Sequence, residues 1–351
     1  MNSQLSIVIL LMFMAHIGSA FAQEKTYAEM LGYPTGSKVV IFHVDDAGMS
    51  YESNIGAKVS IEQGISSSCS IMMPCPWAAD MAKYAIEHPE MDAGLHLVLT
   101  SEWKAYRWGP VAGKSQVPSL VDIEGNLWSS VEEVVQHASA DDVEKEIRAQ
   151  VERALTLGLK PTHMDSHMGT LFATDEFLEK YIKVGMEYNI PVMFPGGNNK
   201  LLTESMNLPV VRQLKAEGKY KEGMELPKPK ILEKTPAVGQ MIWKAGLPVL
   251  DDLHTISGNW KPEHEVSDEE WGRYKAEQCI KILQEMEPGL AMVIVHSSER
   301  TETFQYISGS GRSRYADMLA MTDPGLKEFI EKEGIILTTW REVMQRRQQV
   351  K

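Results

Sequence analysis

Acidic and imidazole side chains end four short apolar runs of this chain. The runs cover residues 39–46, 93–97, 162–167 and 293–296. Each run has the composition of a β-strand, and parallel α/β folds collect the carboxyl ends of their strands on one face, where ligands bind. The polar ends of the four runs would therefore meet. The pattern predicts a single metal site, and hence an enzyme.

The first run ends in two adjacent carboxylates, Asp45 and Asp46, followed by Ala47 and Gly48. Asp and Gly are also common in surface turns, so this tetrapeptide alone is compatible with an ordinary turn. The apolar residues that dominate positions 39–44 indicate a buried strand instead. Adjacent like charges at the end of a buried strand repel each other, and a bound cation would relieve that repulsion. The paired acids therefore favour a functional site.

The third run places His163, Asp165 and His167 at alternate positions, and alternate side chains of an extended chain point to one face. Pro161 before these residues and Gly169 after them disfavour a helix. Two imidazoles and a carboxylate would thus face one space. The spacing leaves His163 open as a metal ligand, as a residue behind the ligands or as a buried hydrogen-bonding group. Asp165 is suited to orienting an imidazole through the second nitrogen of the ring.

Three further histidines are less informative by themselves. His96 and His296 each stand in an apolar run, where a buried, hydrogen-bonded histidine is the better interpretation of either residue taken alone. His43 alternates with Asp45 along the first run but lies deeper, so we interpret it as structural.

Length, charge and cysteine content limit the function classes. The chain has 351 residues with 43% hydrophobic content, enough for one large domain or two smaller ones, and its formal net charge of -13 argues against a nucleic-acid partner. The apolar run at residues 5–15, followed by Ala20-Phe21-Ala22, predicts a signal peptide over residues 1–22 and an exported, periplasmic or secreted protein with no membrane span after signal removal. Three cysteines form no disulfide framework, and we expect Cys69 and Cys75 to be small buried residues.

Alternating β-rich and helical patterns, without an internal repeat, predict a single α/β domain over residues 23–351. Two segments, 101–130 and 196–260, lack clear periodicity; long segments of this kind are usually functional or locally folded, and these two are predicted to form the substrate-binding walls. The predicted strands cover 38–44, 65–73, 92–99, 190–194, 290–295 and 335–339, and the predicted helices cover 53–63, 77–88, 141–157, 175–189, 267–286 and, as the last one, 324–333.

Three motifs resemble the signature blocks of the YdjC/ChbG carbohydrate (chito-oligosaccharide) deacetylases. They are Val44-Asp45-Asp46-Ala47-Gly48-Met49-Ser50, Gly94-Leu95-His96-Leu97 with Thr100, and Pro161-Thr162-His163-Met164-Asp165-Ser166-His167, in the order of the family. Thr338-Thr339-Trp340-Arg341 resembles the end of the family domain, so the similarity spans a core of about residues 38–343. The chain differs from the family pattern at Ala47, at Met168-Gly169 and at Ser297-Ser298 after His296.

This resemblance implies a (β/α) barrel related to polysaccharide deacetylases, with long loops at the C-terminal strand ends. It implies that Asp46, His96 and His167 bind one divalent metal ion, that Asp45 is the catalytic base and that His296 is the acid. The reaction would be removal of N-acetyl groups from an N-acetylated oligosaccharide or glycan. His and carboxylate ligands suit zinc, while magnesium, manganese and cobalt are alternatives.

Several residues are candidates for the surroundings of the metal or for substrate binding. His163 and Asp165 belong to the third motif. His254 ends another apolar stretch, with a capped turn as the alternative, and Arg312 and Arg314 are candidates for binding hydroxyl groups or for solvent-exposed positions. Trp260 is an aromatic residue of the second aperiodic segment.

Two other functions remain as alternatives. A catalytically silent glycan-binding barrel would use aromatic rings for stacking on sugars, and the candidate rings are Trp103, Tyr106, Trp108, Trp128 and Trp260. Packing of the loops is an equally good interpretation of these rings. A metal-dependent phosphoesterase is disfavoured because no Gly-rich phosphate-binding motif or arginine cluster is present in the sequence.

Overall fold

Seven strands form one parallel sheet in the computed structural model, which describes residues 25–221, 223–224 and 226–350. The order of the strands is β4-β3-β2-β1-β6-β5, and β7 pairs with the first half of β1. The strands are β1 Lys38–Ala47, β2 Ser68–Ile71, β3 Ala93–Leu97, β4 Met164–Ser166, β5 Asp252–His254, β6 Gly289–Val295 and β7 Ile336–Leu337. The predicted signal peptide at residues 1–22 lies outside the described residues.

The two edges of the sheet are joined by the segment 191–196. On one side the Met193 amide donates to the Met164 carbonyl of β4 at 2.8 Å, and on the other the Gly196 amide donates to the Leu250 carbonyl beside β5 at 2.9 Å. Because both edge strands are paired in this way, the parallel sheet curves into a (β/α) barrel. The predicted strand at 190–194 is therefore present only as isolated bridges.

Twelve helices among the described residues connect and cover the strands. Most of them begin at a side-chain cap, as at Ser267, where the hydroxyl accepts from the Glu270 amide at 3.2 Å and the Glu270 carboxylate accepts from the Ser267 amide at 2.8 Å. The helices are α1 Tyr27–Met30, α2 Tyr51–Glu62, α3 Ala78–Glu87, α4 Val131–His137, α5 Ala140–Leu157, α6 Asp175–Tyr188, α7 Lys200–Ala216, α8 Thr235–Lys244, α9 Asp268–Glu285, α10 Gly311–Met321, α11 Pro324–Lys332 and α12 Trp340–Gln349. No helix among the described residues is both long enough and apolar enough to cross a membrane.

The alternation of side chains along β1 divides the core into two parts. Val40, Phe42 and Val44 belong to the large cluster between the sheet and the helices, whereas Val39 and Ile41 belong to a smaller cluster inside the barrel. Residues of the same parity as Val39 and Ile41 continue towards the carboxyl end of the strand as His43 and Asp45. The barrel interior thus changes from apolar at one end to charged at the other.

The predicted helices and strands are confirmed where apolar residues recur with a regular period in the sequence. The expected burial of Cys69 and Cys75 is confirmed as well. Three differences affect the site. The aperiodic segment 196–260 contains α7 and α8, the helix α10 was not predicted, and α12 follows the helix that the sequence marked as the last.

Gly94 is fixed by packing inside the barrel. A Cβ atom at this position would overlap the imidazole ring of His163, which is fully buried and stacks on Trp340 with ring centroids 5.1 Å apart. We expect Gly94→Ala to lower the free energy of unfolding by about 1–3 kcal/mol, because an overpacked core must shift neighbouring groups. Thermal and denaturant unfolding measure the change. Gly309→Ala is the matched control, since a Cβ there meets nothing within 4 Å, and equal stability of the two variants would contradict the packing argument.

Candidate metal centre

A bulge at the end of β1 turns two adjacent carboxylates towards the same space. The register between β1 and β2 shifts between Val44 and Ala47, and Asp46 has a φ of 64°. Side chains of a regular strand alternate between faces, so Asp45 and Asp46 would otherwise point in opposite directions. Asp is one of the few residues other than Gly that adopts this left-handed conformation readily. The bulge therefore explains how both acids reach one site.

Three ligand atoms converge at the carboxyl ends of β1, β3 and β4. Asp46 Oδ1 lies 3.3 Å from His96 Nε2 and 3.3 Å from His167 Nδ1, and the two nitrogens are 3.1 Å apart. An ion about 2.0–2.1 Å from each atom would hold tetrahedral ligands roughly 3.3 Å apart. Asp46 Oδ1 is buried and accepts no hydrogen bond from the described residues, so its contacts with the two histidines are those of an ion pair. The donor set and its spacing fit a divalent metal ion.

The second nitrogen of each imidazole is held by a carboxylate. His96 Nδ1 lies 2.6 Å from Asp165 Oδ1, and His167 Nε2 lies 3.1 Å from Glu102 Oε2. A carboxylate in this position accepts the N–H of the ring and leaves the lone pair of the other nitrogen free for a metal. Both histidines therefore turn towards Asp46 the nitrogen that could bind a metal ion once its proton has left.

The charges of the centre are mutually dependent. Burial alone would raise the pKa of Asp46, but Arg314, with Nη1 2.7 Å from Asp46 Oδ2, and the two histidines hold it well below its usual range. Burial would lower the pKa of His167, yet Glu102 and Asp46 raise it to about 9. The pKa of His96 is raised well above its usual value, against the effect of burial, by Asp45, Asp165 and Asp46. Without a metal ion, both imidazoles therefore retain protons at neutral pH.

Asp165 connects the metal centre to the interior of the barrel. Its Oδ2 lies 3.0 Å from His43 Nε2 and 3.6 Å from His163 Nε2. Burial opposes a charge on His43, but the hydrogen bonds to Asp165 and Asp45 outweigh it and raise the pKa of His43 to about 9. Burial lowers the pKa of His163, so this ring is neutral. The structure thus places His163 behind the three converging ligand atoms, in contact with Asp165.

Asp45 and His296 face each other beside the three ligands. Asp45 Oδ2 lies 3.9 Å from His96 Nε2 and 3.9 Å from His296 Nε2. The backbone amide of His296 donates to Asp317 Oδ2 at 3.1 Å, and Asp317 Oδ1 accepts from the buried Lys275 at 2.7 Å. Burial lowers the pKa of His296, and Arg314 acts in the same direction against the acidic neighbours. Its imidazole is therefore neutral at neutral pH.

Glu102 was missed by the sequence analysis. It comes from the aperiodic segment that follows β3, and a single acid in such a segment does not show where its side chain points. Arg314 was a candidate only for hydroxyl binding or a solvent-exposed position, and the structure instead pairs it with Asp46 from α10, a helix that was not predicted. Arg312, the other arginine candidate, is two residues away on the same helix and so points to another side. It pairs with Asp268, Nε to Oδ1 at 2.7 Å.

The structure does not bring the other weaker candidates to the metal centre. Side chains alternate along β5, so Leu253 and Thr255 line the cleft while His254 points away and lies 4.9 Å from the ring of Trp260. Neither His254 nor Trp260 lines the cleft. The other four candidate stacking rings, Trp103, Tyr106, Trp108 and Trp128, are also absent from its described lining.

The metal centre lies in a cleft with a volume of about 630 Å³. One part of the cleft is lined by the titratable residues Asp45, Asp46, His96, Glu102, His167, His296 and Arg314. The other part extends between the segment 168–178 and the walls formed by α7 and the start of α8. The centre is therefore accessible to a ligand larger than a water molecule.

Comparison with known proteins identifies the family. The family model described as YdjC-like protein matches residues 39–332. The chain belongs to the YdjC-like family. The resemblance of the three motifs is thereby confirmed. The fold is similar to the crystal structure of a protein from Enterococcus faecalis V583 that is described as a candidate cellobiose-phosphate cleavage protein. The TM-score is 0.65 at 19% identity, and the match covers 88% of this chain and 99% of the other.

Relatives of this YdjC-like chain carry deacetylase names. A carbohydrate deacetylase from Thermus thermophilus is 34% identical over 160 residues, which are 46% of this chain and 54% of the relative. One from Thermoanaerobacter pseudethanolicus is 23% identical over 304 residues, 86% of this chain and 98% of the relative. A chitooligosaccharide deacetylase from Yersinia enterocolitica is 31% identical over 133 residues, 37% of this chain and 49% of the relative. In the first and third matches the chain spans about half the length of the relative.

Metal binding at this centre should depend on pH. A proton and a metal ion compete for the same nitrogen lone pair. Because the pKa of His167 is raised to about 9, its proton must leave when a metal binds at pH 7. We expect the affinity for Zn²⁺ to rise between pH 6 and 9, by up to about tenfold per pH unit for each displaced proton. Calorimetry in buffers of different ionisation enthalpy counts the protons released.

The control for this measurement is His264→Ala, a change at an exposed position that does not line the cleft. It should leave both the affinity and the proton count unchanged. Affinity that is independent of pH, with no proton released, would contradict the assignment of His96 and His167 as ligands.

Glu102 should influence the metal through His167. Its carboxylate stays ionised because His167 outweighs the effect of burial and lowers the pKa of Glu102. Glu102→Gln removes that charge while keeping a hydrogen-bond acceptor, and we expect metal affinity to fall by about 10- to 100-fold with an unchanged fold. Metal titration and circular dichroism measure the two effects. Glu124→Gln, at an exposed position in the same loop region, is the control.

Proposed function

We propose that the protein is a metal-dependent hydrolase that removes N-acetyl groups from an amino-sugar-containing carbohydrate. The observation that carries the proposal is the convergence of Asp46, His96 and His167, with Asp45 and His296 beside them, at one end of an open cleft. The names of the relatives support the reaction class.

Asp46, His96 and His167 would hold the metal ion, leaving open positions at the ion. When bound, a divalent metal lowers the pKa of a water molecule and polarises the carbonyl group of an acetamide. Carboxylate and imidazole ligands with open positions suit zinc, and magnesium, manganese and cobalt are alternatives. Arg314 neutralises part of the charge of Asp46, which leaves the bound ion a stronger Lewis acid.

Asp45 would act as the base. Its Oδ2 lies 3.9 Å from His96 Nε2. The carboxylate would therefore lie close to the metal ion, although it is not one of the three converging ligand atoms. It can accept a proton from an attacking water molecule, and a general base must lie near the proton that it removes. His43, 3.2 Å from Asp45 Oδ1, orients the carboxylate from inside the barrel. The chemistry thus uses the carboxylate that the bulge leaves beside the metal ligands.

His296 would protonate the departing amine. Its Nε2 is 3.9 Å from Asp45 Oδ2, so a proton taken up by Asp45 can reach the imidazole over a short distance. Because the pKa of His296 is lowered, the protonated ring gives up its proton readily. The hydrogen bond from its backbone amide to Asp317 fixes the position of the residue at the end of β6.

The alternative functions are less well supported by the geometry. A glycan-binding barrel needs rings in its cleft, and the five predicted rings do not line the described part of it. A phosphoesterase needs cations free to bind a phosphate. In the described lining, Arg314 pairs with Asp46 at 2.7 Å and Lys234 pairs with Asp175 at 2.7 Å.

Acetate release tests the proposed reaction. The purified protein should release acetate from N-acetylated amino sugars, lose this activity on chelation and recover it when metal is added. Asp45→Asn should bind metal with little change and lose at least about 10²-fold in kcat, the usual contribution of a general base. His167→Ala should lose metal affinity as well as rate. Coupled acetate assays and metal analysis on the same samples separate the two effects.

His264→Ala serves again as the control with unchanged rate and metal content. Full activity of Asp45→Asn would show that another group is the base. Tight metal binding by His167→Ala would show that the three ligands were assigned wrongly, and no acetate from any N-acetylated amino sugar would refute the deacetylase proposal.

Export also remains a proposal, based on the apolar segment and small residues within positions 1–22. Expression of the whole chain in a bacterium that exports proteins, followed by fractionation and N-terminal sequencing, tests it. A mature protein that begins at Gln23 supports cleavage, and retention of Met1 in the cytoplasmic fraction refutes it.

A further inference from the structure

The part of the cleft beyond the metal centre has apolar walls. The side chains that face each other there are Phe172, Leu178, Leu202, Met206, Ile231 and Val238. Phe172 and Leu178 come from the turn after β4 and from α6, and the other residues come from α7 and from the segment that leads into and through the first turns of α8. We name this part the apolar arm of the cleft.

The apolar side chains of the arm are exposed more than a protein core permits. Met206 is 40% exposed and Ile231 is 53% exposed, and both line the cleft. Leu202 and Met206 are four residues apart on α7, so they lie on one face of that helix. Large apolar side chains left in contact with water around one cavity indicate a binding site for an apolar group.

The polar side chains on the same walls are already engaged. Asp175 and Lys234 form an ion pair with each other at 2.7 Å. The Thr174 hydroxyl accepts from the Phe177 amide at 3.1 Å, and the Thr235 hydroxyl donates to the Leu232 carbonyl at 2.9 Å. A sugar ring placed in the arm would find few partners for its hydroxyl groups, and each buried hydroxyl without a partner costs about 1–3 kcal/mol. These walls therefore disfavour a second sugar unit.

The apolar arm and the metal centre belong to one continuous cleft. A ligand that fills the cleft must place a polar, hydrolysable group near Asp46 and an apolar group between α6 and α7. We propose that the substrate is an amphiphile, in which an N-acylated amino sugar is joined to an aliphatic chain that occupies the apolar arm. This inference rests on the proposed function for the position of the acyl group.

Alkyl glycosides of N-acetylglucosamine test the inference. In a series from methyl to octyl, used below their micelle concentrations, kcat/KM should rise by about two- to fourfold per methylene until the arm is filled, since each buried methylene gains transfer free energy. The gain should appear mainly as a lower KM, because the chain binds equally in the ground and transition states. An N,N′-diacetylchitobiose substrate should gain little over the methyl glycoside.

Ile231→Gln and Met206→Gln place polar groups in the arm and should flatten the dependence on chain length. Both side chains are partly exposed, so the fold should tolerate the changes. Ile123→Gln is the matched control, because Ile123 is 95% exposed and does not line the cleft, and it should retain the full dependence. Equal effects of Ile123→Gln and Ile231→Gln would overturn the assignment of the arm.

The aliphatic chain has two possible sources, the aglycone or the acyl group on nitrogen. Comparison of octyl N-acetylglucosaminide with methyl N-octanoylglucosaminide distinguishes them, and preference for either over methyl N-acetylglucosaminide supports an aliphatic chain in the arm. Equal kcat/KM for all three, or a clear preference for chitobiose, would overturn the inference while leaving the deacetylase proposal intact.

Binding measurements keep the inference testable if no turnover is found. Calorimetry with alkyl glucosides, which carry no acyl group on nitrogen, should show Kd falling with chain length in the native protein and not in Ile231→Gln. That result would support the apolar arm even if the deacetylase proposal failed. Affinity that is independent of chain length would overturn the inference in either case.

Discussion

The buried carboxylate of Asp165 is the charge on which the rest of the site depends. Removing a carboxylate from water costs several kcal/mol unless hydrogen bonds and opposite charges compensate. Here His96 approaches one oxygen to 2.6 Å and His43 approaches the other to 3.0 Å, and these and His163 hold the pKa of Asp165 well below its usual range although burial would raise it. The same contact that stabilises Asp165 fixes the ring of His96, so that His96 Nε2 faces Asp46. One interaction therefore both stabilises the barrel interior and orients a candidate metal ligand.

The balance of charge also explains how the centre can fold before it binds a metal. His96 and His167 carry raised pKa values, so two protons compensate the surrounding carboxylates in the metal-free protein. A divalent cation held by Asp46, His96 and His167 in place of both protons would bring the same total charge. It would therefore leave the electrostatic compensation of Asp46 and Asp165 nearly unchanged and would supply a Lewis acid at the same position.

Much of the barrel and the three converging ligand atoms could be predicted from the sequence because both follow from local patterns. Asp46, His96 and His167 each stand at the end of an apolar run, and strand ends meet in a parallel barrel. The bulge that turns Asp46 inwards has no such signal, since its cause is a shift in pairing between two strands. The position of Glu102 and the pairing of Arg314 with Asp46 were missed for a related reason. Both residues reach the centre through tertiary contacts, from a loop and from a helix with a weak sequence pattern, and only the folded chain shows where their side chains point.

The aromatic residues show why composition was a poor guide to the cleft. The segment 101–130 has little regular secondary structure, so its carbonyl groups need other donors. Trp108 Nε1 donates to the Thr100 carbonyl at 3.0 Å, and Trp128 Nε1 donates to the Ser119 carbonyl at 2.9 Å. Rings that could have stacked on sugars instead hold this loop together, and the ordered loop in turn carries Glu102 to His167. The apolar arm of the cleft is lined instead by Phe172 and by aliphatic side chains and a methionine from α6, α7, α8 and the segment before α8. The tryptophans of the segment 101–130 thus position a charge beside the metal centre, and do not line the cleft.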